Sequence, residues 1–387
     1  MKRIQLPERK NWRQQAKELG FIFHSMNQEP YWDETRAYVF TMDQVESDLE
    51  DVTQELYGCC LQLVDRVVES EELLSKLMIP QAYWDWIRNS WKSGDPSLYG
   101  RFDFLYDGSG PAKLLEFNAD TPTSLYETGF FQWMWLEDMR AAGDLPANSD
   151  QFNSVQDKLI ARFSQIFEKG CHLHFSCCKD TIEDRATLQY LEDCARQAGL
   201  LTHFVYLEDV GADDQYRFAD LDNTVIDNWF KLYPLEDMFR ESYGPLLPKT
   251  PTQIFEPAWK AILSNKGILP LLWQMYEGHP NLLPSSFENK DGGVDLTNAY
   301  VRKPLFSREG ANVEIFRNGA LSESEKGPYG QEGYILQQFK EVPKFGQDHT
   351  VIGSWIIGEE AAGIGIREDH SLITRDTSRF VPHLILD

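Results

Sequence analysis

The chain has 387 residues, 42% of them hydrophobic and 13% aromatic, which indicates a globular protein with a large core rather than a disordered one. Its 61 acidic and 37 basic residues give a formal charge of −24, which argues against binding to a nucleic-acid backbone but leaves room for a local nucleotide site. No apolar window reaches the length of a signal peptide or a membrane span, so we expect a cytoplasmic protein. Six cysteines without CxxC spacing favour reduced thiols and argue against a zinc site.

Residues 1–98 are predicted to form a mainly helical N-terminal region. The clearest helix covers 43–71, where apolar residues recur at steps of three and four and form one stripe. Shorter helices are predicted over 11–19, 73–78 and 82–91. The aromatic residues between them are interpreted as core residues.

Residues 101–118 read as a β-hairpin around the turn sequence DGSGP. Side chains two apart on a strand share a face, so Arg101 and Asp103 point one way, as do Glu116 and Asn118. If both sets face the same side, a guanidinium and three oxygen ligands meet on one patch. Phe102, Phe104, Leu115 and Phe117 are then expected on the opposite, core-facing side.

A pair of carboxylates with an amide oxygen suits a hard cation such as Mg²⁺, which keeps waters and binds nucleotide phosphates. The alternative is a half-exposed hairpin whose charged residues form cross-strand ion pairs.

A helix is predicted over 125–141, and its entrance is the segment DTPTS at 120–124. Ser124 with Glu127 three residues later is typical of a capping box, which by itself explains Ser124. Thr121 and Thr123 are less well explained by capping, and we interpret them as possible ligand contacts.

The segment 152–230 alternates helix and strand, which predicts parallel strands joined by right-handed crossovers. Ligands bind beyond the carboxyl ends of such strands, where 179–183 and Lys231, with Glu236 and Asp237, are expected. His172 and His174 share a strand face but have no third ligand at a suitable spacing, so we interpret them as ordinary strand residues.

The C-terminal part, with strands predicted over 299–303, 334–338, 351–357 and 363–367, should form antiparallel sheet. Lys266 stands alone in an apolar stretch. A lysine in such surroundings is often a side chain that passes its apolar neighbours and extends its ammonium to solvent. Arg302 and Lys303 end a strand before a turn with Gly310, an arrangement suited to phosphate oxygens. No Walker sequence GxxxxGK[ST] occurs.

Three blocks, RFDF…LLEFNADTPTS, IFEPAW…NKGILPLLW and YVRKPLFSREGAN, resemble the glutathionylspermidine synthetase family, from about residue 84 onward and more weakly before it. The resemblance implies an α/β (α+β) chain with the ATP-grasp ligase fold. It also implies a core over 99–387, with a parallel βαβ substrate subdomain, like that of pre-ATP-grasp proteins, inserted at about 150–245. The family's amidase domain has no counterpart in the sequence, so no peptide-cleaving cysteine is expected.

The resemblance also assigns roles to individual residues. Metal ligands fall on Asp103, Glu116 and Asn118, and the catalytic cations are Arg101 and Arg367. Positions that bind ATP are Arg101, Phe102, Asp103, Lys266, Lys303, Gly310, Gln337, Gln338, Phe339, Lys340, Leu372, Ile373 and Thr374. Positions that hold the acid substrate are Thr121, Thr123, Glu183 and Asp237.

The implied reaction is an ADP-forming acid–amine ligation with ATP and Mg²⁺, in which a carboxylate forms an acyl phosphate and an amine displaces phosphate. The implied partners are a small-molecule or peptide carboxylate and an amine, without nucleic acid or membrane. The chain departs from the family at two positions. Asp237 stands where the family has a threonine that contacts the peptide, and Arg379 stands at an acidic position associated with the polyamine. Both departures count against glutathione and spermidine as the substrates. The alternative is a silent nucleotide- or peptide-binding protein that retains the fold.

Overall fold

The computed structural model describes residues 1–26, 29–288, 299–375 and 377–386. These residues form ten α-helices: α1 (Trp12–Glu18), α2 (Met42–Val45), α3 (Asp51–Val68), α4 (Glu71–Lys76), α5 (Trp84–Lys92), α6 (Gln132–Ala142), α7 (Val155–Ile166), α8 (Ile182–Gln197), α9 (Leu235–Met238) and α10 (Ile268–Met275). Two π-helical segments, Glu46–Glu50 and Glu127–Phe131, precede α3 and α6. None of the described helices is long and apolar enough to cross a membrane.

The same residues form strands in several sheets. They are β1 (Lys2–Gln5), β2 (Ser25–Met26), β3 (Glu29–Pro30), β4 (Arg36–Phe40), β5 (Tyr99–Leu105), β6 (Lys113–Asn118), β7 (His172–Ser176), β8 (Leu201–Phe204), β9 (Gly211–Ala212), β10 (Phe218–Ala219), β11 (Asn228–Lys231), β12 (Gln253–Phe255), β13 (Ser285–Phe287), β14 (Ala299–Pro304), β15 (Glu314–Arg317), β16 (Ala320–Ser324), β17 (Tyr334–Gln338), β18 (Lys344–Phe345), β19 (Asp348–Ile357), β20 (Glu360–Asp369), β21 (Arg379–Val381) and β22 (His383–Ile385).

The central sheet combines the predicted hairpin with the C-terminal strands in the order β21-β20-β19-β5-β6, and all its pairs are antiparallel. Gly353 on β19 lies opposite Asp103, and a Cβ added there would come within 2.7 Å of the Arg101 side chain. This sheet therefore brings the hairpin face and Arg367 on β20 to the same surface of the molecule.

Two further sheets are formed by the chain between β6 and β19 of the central sheet. The outer sheet is antiparallel, in the order β13-β17-β14-β15-β16, and it carries Lys303 on β14. The parallel sheet has the order β12-β11-β7-β8, which confirms the predicted parallel strands and adds β12 beyond residue 245. The antiparallel character of the C-terminal part is confirmed as well.

The N-terminal region is less helical than predicted. The stripe between residues 42 and 68 is helical and buried as expected. However, β1 pairs with β4, and β4 pairs with β22 near the C-terminus. These strands are short, and their partners are distant in sequence, so local periodicity gave no sign of them.

A buried ion pair joins the parallel sheet to the segment after the hairpin. The Lys231 ammonium at the end of β11 contacts the Asp120 carboxylate, and both side chains are at most 1% exposed. The other Asp120 oxygen accepts the backbone N–H of Leu235 at 2.8 Å. This pair fixes the start of the 120–124 segment against the carboxyl end of the parallel sheet.

Candidate active site

The hairpin presents four polar side chains on one face, as its alternation predicted. Asp103 lies opposite Glu116 and Arg101 lies opposite Asn118 in the strand register. The Asn118 amide nitrogen donates to Asp103 at 3.2 Å and to Glu116 at 3.3 Å, so it links the two carboxylates. Arg101 donates through two nitrogens to Asp103, at 2.6 and 2.9 Å.

The opposite face of the hairpin is apolar, with one correction. Phe102 stacks on Phe117 with 3.9 Å between the ring centres, and Phe104 is also buried. The prediction that Leu115 shares this face is wrong, because the register shifts so that Phe104 lies opposite Leu114. Leu115 is the extra residue of a bulge and lines a cleft instead. The Phe102 side chain faces the core and is buried.

The two carboxylates have different electrostatic surroundings. Burial raises the pKa of Asp103 above its ordinary value, although Arg101 opposes this. Burial would also raise the pKa of Glu116, but Lys266 and Lys303 lower it to about 2. Lys266 contacts Glu116 directly, at 3.0 Å. Glu116 is therefore ionised at neutral pH.

The donor set of this face fits Mg²⁺. Among the described residues, no three His, Cys, Asp or Glu side chains are grouped closely enough to hold a metal. A cation at the hairpin would have two carboxylates, Asp103 and Glu116, and the Asn118 oxygen as ligands. It would keep further positions for water and phosphate, as Mg²⁺ does.

A first cleft, here called the apolar cleft, opens between the central and outer sheets, with about 720 Å³ of space not filled by protein atoms. Val313, Ile315 and Ile373 form a separate small apolar cluster that lines it. Apart from Arg101 and Phe102, each predicted nucleotide-binding residue lines this cleft: Asp103, Lys266, Lys303, Gly310, Gln337, Gln338, Phe339, Lys340, Leu372, Ile373 and Thr374.

Lys303 is buried at the floor of the apolar cleft. Its ammonium donates to the Leu115 carbonyl at 2.9 Å and to the Gln337 side chain at 2.8 Å. Burial lowers its pKa to about 8, against the attraction of Glu116. The interpretation that both cations of the strand end face phosphate is wrong for Arg302, which pairs with Glu288 at 2.5 Å on the other side of the sheet.

Lys266 does not extend into solvent, the alternative raised by its apolar surroundings. Its ammonium donates to the Ser307 carbonyl at 2.7 Å and faces Glu116. Gly310 has φ +71°, and a Cβ there would lie 2.5 Å from the Ile373 side chain. A glycine is therefore needed where this turn meets the segment 372–374.

A second cleft, here called the polar cleft, adjoins the first, with about 1050 Å³ of unfilled space. Asp103, Glu116, Gly310 and Thr374 line both clefts. The polar cleft also contains four guanidinium groups, on Arg101, Arg308, Arg367 and Arg375.

Of the predicted acid-binding residues, two line the polar cleft and two do not. Thr121 and Thr123 line it, and Arg101 donates to the Thr123 carbonyl at 2.5 Å. Glu183 is absent from the lining, where its neighbour Asp184 appears instead. Asp237 also lies outside the lining, and its carboxylate lies 3.6 Å from the Arg240 guanidinium.

Three residues at the site were missed. Arg308 donates to the Thr121 hydroxyl at 2.5 Å and to Glu236 at 2.7 Å, which joins the Gly310 turn to the 120–124 segment. The turn around Gly310 was predicted from the sequence, so Arg308 could have been predicted as a site residue in the same turn. Arg375 in the polar cleft gave no local signal, and neither did Tyr31, which lies 5.4 Å from the Arg367 guanidinium.

Arg367 lines the polar cleft and is held by backbone and side-chain acceptors. It donates to the carbonyls of Ser378 and Arg375, both at 2.9 Å, and to the Ser124 hydroxyl at 3.1 Å. The predicted capping box is wrong, because Ser124 has φ +68° and Glu127 instead accepts the Tyr31 hydroxyl. Ser124 is therefore a contact of Arg367.

In this chain an outer antiparallel sheet covers a cleft whose floor carries lysines and paired carboxylates. This arrangement defines the ATP-grasp class of ligase folds. A glutathione synthetase-like effector from Globodera pallida shares this overall fold, with a TM-score of 0.51 at 9% identity over 86% of this chain and 88% of that one. The chain belongs to the glutathionylspermidine synthase preATP-grasp family, whose model matches residues 3–386.

Similar curated proteins carry ligase or synthetase names. A putative acid–amine ligase of Haemophilus influenzae is 36% identical, and the match covers 99% of each chain. Trypanothione synthetase of Crithidia fasciculata is 28% identical, over 88% of this chain and 58% of the relative. The bifunctional glutathionylspermidine synthetase/amidase of Escherichia coli is 25% identical, over 93% of this chain and 60% of the relative. The chain thus spans nearly all of the first relative and about three fifths of the other two.

Proposed function

We propose that the protein is an ATP- and Mg²⁺-dependent carbon–nitrogen ligase that joins the carboxylate of an acid or peptide to an amine and releases ADP. Membership in a family of synthetases supports this enzyme class. The observation that carries the mechanism is that the apolar and polar clefts meet at Asp103 and Glu116. A nucleotide in one cleft would place its terminal phosphate at the entrance of the other.

ATP would lie in the apolar cleft. The apolar cluster of Val313, Ile315 and Ile373 offers a surface for the adenine ring, and Gln337 to Lys340 provide polar groups at its edge. Lys266 and Lys303 would neutralise phosphate oxygens. Asp103, Glu116 and Asn118 would hold Mg²⁺, which supplies positive charge at the phosphates when bound.

The acid would lie in the polar cleft, with its carboxylate near Arg101 and the hydroxyls of Thr121 and Thr123. An oxygen of that carboxylate attacks the γ-phosphorus of ATP, the bond to the ADP oxygen breaks, and an acyl phosphate forms. Arg101 and Arg367 would stabilise charge on the transferring oxygens, which is the main contribution that a protein makes to such a step. The amine then attacks the acyl carbon, phosphate leaves, and the amine loses a proton.

The amine does not have to be a polyamine. Arg379, at the position that the family resemblance associated with it, contacts Asp348 and Glu368 and lines neither cleft. Asp184 and Glu309 line the polar cleft and provide negative charge for an incoming ammonium group.

The test is to incubate the protein with ATP and Mg²⁺ and a panel of peptides crossed with a panel of amines, and to read ADP release and product mass. We expect one combination to give a mass equal to acid plus amine minus water, formed together with ADP. A suitable control is Glu359→Gln with Glu360→Gln, because this adjacent exposed pair lies at the far end of the β19–β20 hairpin. A protein that binds ATP but yields no coupled product across the panel would support the silent-binding alternative.

A further inference from the structure

A buried cluster of Tyr31, Ser124 and Glu127, here called the Arg367 support, lies beneath the Arg367 guanidinium. Arg367 donates to the Ser124 hydroxyl at 3.1 Å, and Ser124 in turn lies 3.1 Å from the Tyr31 hydroxyl. Tyr31 donates to a Glu127 oxygen at 2.5 Å. The Tyr31 ring also lies 5.4 Å from the guanidinium carbon, within cation–π range. Contacts thus run without a gap from Glu127 to Arg367.

Packing alone does not explain these residues. Ser124 is a non-glycine residue in the left-handed region, a conformation that is strained and that places its hydroxyl under Arg367. Glu127 is 1% exposed, and its second carboxylate oxygen has no hydrogen-bond partner. A buried carboxylate with an unpartnered oxygen costs stability, which points to a function for its charge.

The nearest charges indicate what that function is. Burial raises the pKa of Glu127, while Tyr31, Arg367 and Arg101 oppose the shift, so both guanidinium groups are close enough to act on it. Arg101 is also paired with Asp103, which is a proposed metal ligand. Glu127 is thus a second buried carboxylate close to these two arginines.

We propose that Tyr31 and Glu127 are positioning residues that hold Arg367, through Ser124, against the transferring phosphoryl group. This inference rests on the proposed function, in which Arg367 contacts that group. It assigns part of the active site to the N-terminal region, which carries none of the predicted site residues. Tyr31 and Glu127 themselves touch neither substrate.

The test does not require the natural substrates. Calorimetry measures the affinity for Mg²⁺–ADP with and without aluminium fluoride, which mimics the transferring phosphoryl group. The variants are Tyr31→Phe, which keeps the ring, Glu127→Gln, which keeps the shape, and Arg367→Ala. Tyr126→Phe is the matched control, because it removes a buried hydroxyl one residue from Glu127 that donates instead to the Leu19 carbonyl. Thermal melts check that each variant is folded.

In the wild-type protein we expect aluminium fluoride to increase the affinity for Mg²⁺–ADP strongly. In Arg367→Ala, most of this gain in affinity should be lost. In Tyr31→Phe and Glu127→Gln, the factor by which fluoride increases the affinity should each time be about tenfold to a hundredfold smaller, as expected for a misplaced catalytic group. The affinity for ADP alone should change less than about threefold. Tyr126→Phe should behave like the wild type.

The outcomes separate the two proposals. If Arg367→Ala loses the gain while Tyr31→Phe and Glu127→Gln keep it, the positioning role is wrong and the proposed function stands. If the wild type does not bind Mg²⁺–ADP, the proposed function fails and the positioning role fails with it. An equal loss of affinity for ADP with and without fluoride would show a merely structural role, which also overturns the inference.

Discussion

Replacing Lys303 with methionine tests the nucleotide site most directly, because this lysine is buried and faces the apolar cleft. Methionine is similar in length to lysine and can occupy the same space, but it lacks the ammonium. The ammonium is the group that would contact the phosphates. A charge-assisted hydrogen bond contributes about 1.5–3 kcal/mol, so Lys303→Met should weaken ATP binding by about 10- to 150-fold. Isothermal titration calorimetry with Mg²⁺–ATP at pH 7.5 measures this directly.

The pH dependence gives a sharper version of the same test. Burial lowers the pKa of Lys303 to about 8, so in the free protein the ammonium is charged below that pH and neutral above it. Bound phosphates favour the charged form, so binding above pH 8 requires uptake of a proton. The wild-type dissociation constant should therefore be constant below about pH 8 and rise by up to about tenfold per pH unit above it. In Lys303→Met this rise should be absent.

The control is Lys158→Met, which removes a lysine that also donates to a backbone carbonyl, that of Ala361, but outside both clefts. Its ATP affinity and pH profile should match the wild type. A wild-type affinity that stays flat to pH 9.5, or a Lys303→Met profile that keeps the rise, would refute the assignment of this lysine to the phosphates.

Three further variants test other parts of the site. Asp103→Asn with Glu116→Gln should abolish Mg²⁺-dependent ATP turnover while the fold remains, and native turnover with the true substrates would show that the metal assignment is wrong. Arg367→Ala should lower kcat by about a hundredfold or more with a much smaller change in ATP affinity, and normal turnover with a greatly raised KM for ATP would make it a binding residue. Lys231→Met leaves Asp120 buried without its cation and should cost about 3–5 kcal/mol in urea unfolding, whereas an unchanged midpoint would contradict the role of this pair.

The polar face of the hairpin, with Arg101, Asp103, Glu116 and Asn118, could be predicted because its signal is local. The spacing of Arg101 and Asp103, and of Glu116 and Asn118, is two residues, and one turn fixes the relation of the two strands. Leu115 escaped the same reasoning because a bulge changes the alternation, and a bulge depends on how the partner strand pairs rather than on the bulged residue alone.

Ser124 shows how a local pattern can give the wrong result. A serine with a glutamate three residues later fits the capping box, yet here each side chain has a tertiary partner that competes with the helix end. Tyr31 lies 93 residues from Ser124 in the chain. No window of sequence contains both residues, so their contact appears only in the fold.

The difference between the two clefts explains why the lining of the apolar cleft was easier to predict than the lining of the polar cleft. The apolar cleft is built from strand ends and one turn, where a lone lysine or glycine stands out against apolar neighbours. The polar cleft is built from loop residues on several elements, and its charged groups are paired with one another, as in Arg308 with Glu236. In the proposed reaction, an acid or amine that enters this cleft would have to replace some of these pairs. Its identity would then depend on which pairs open and not on any single residue. Product masses from the crossed panel, rather than further comparison of single positions, should therefore identify the substrates.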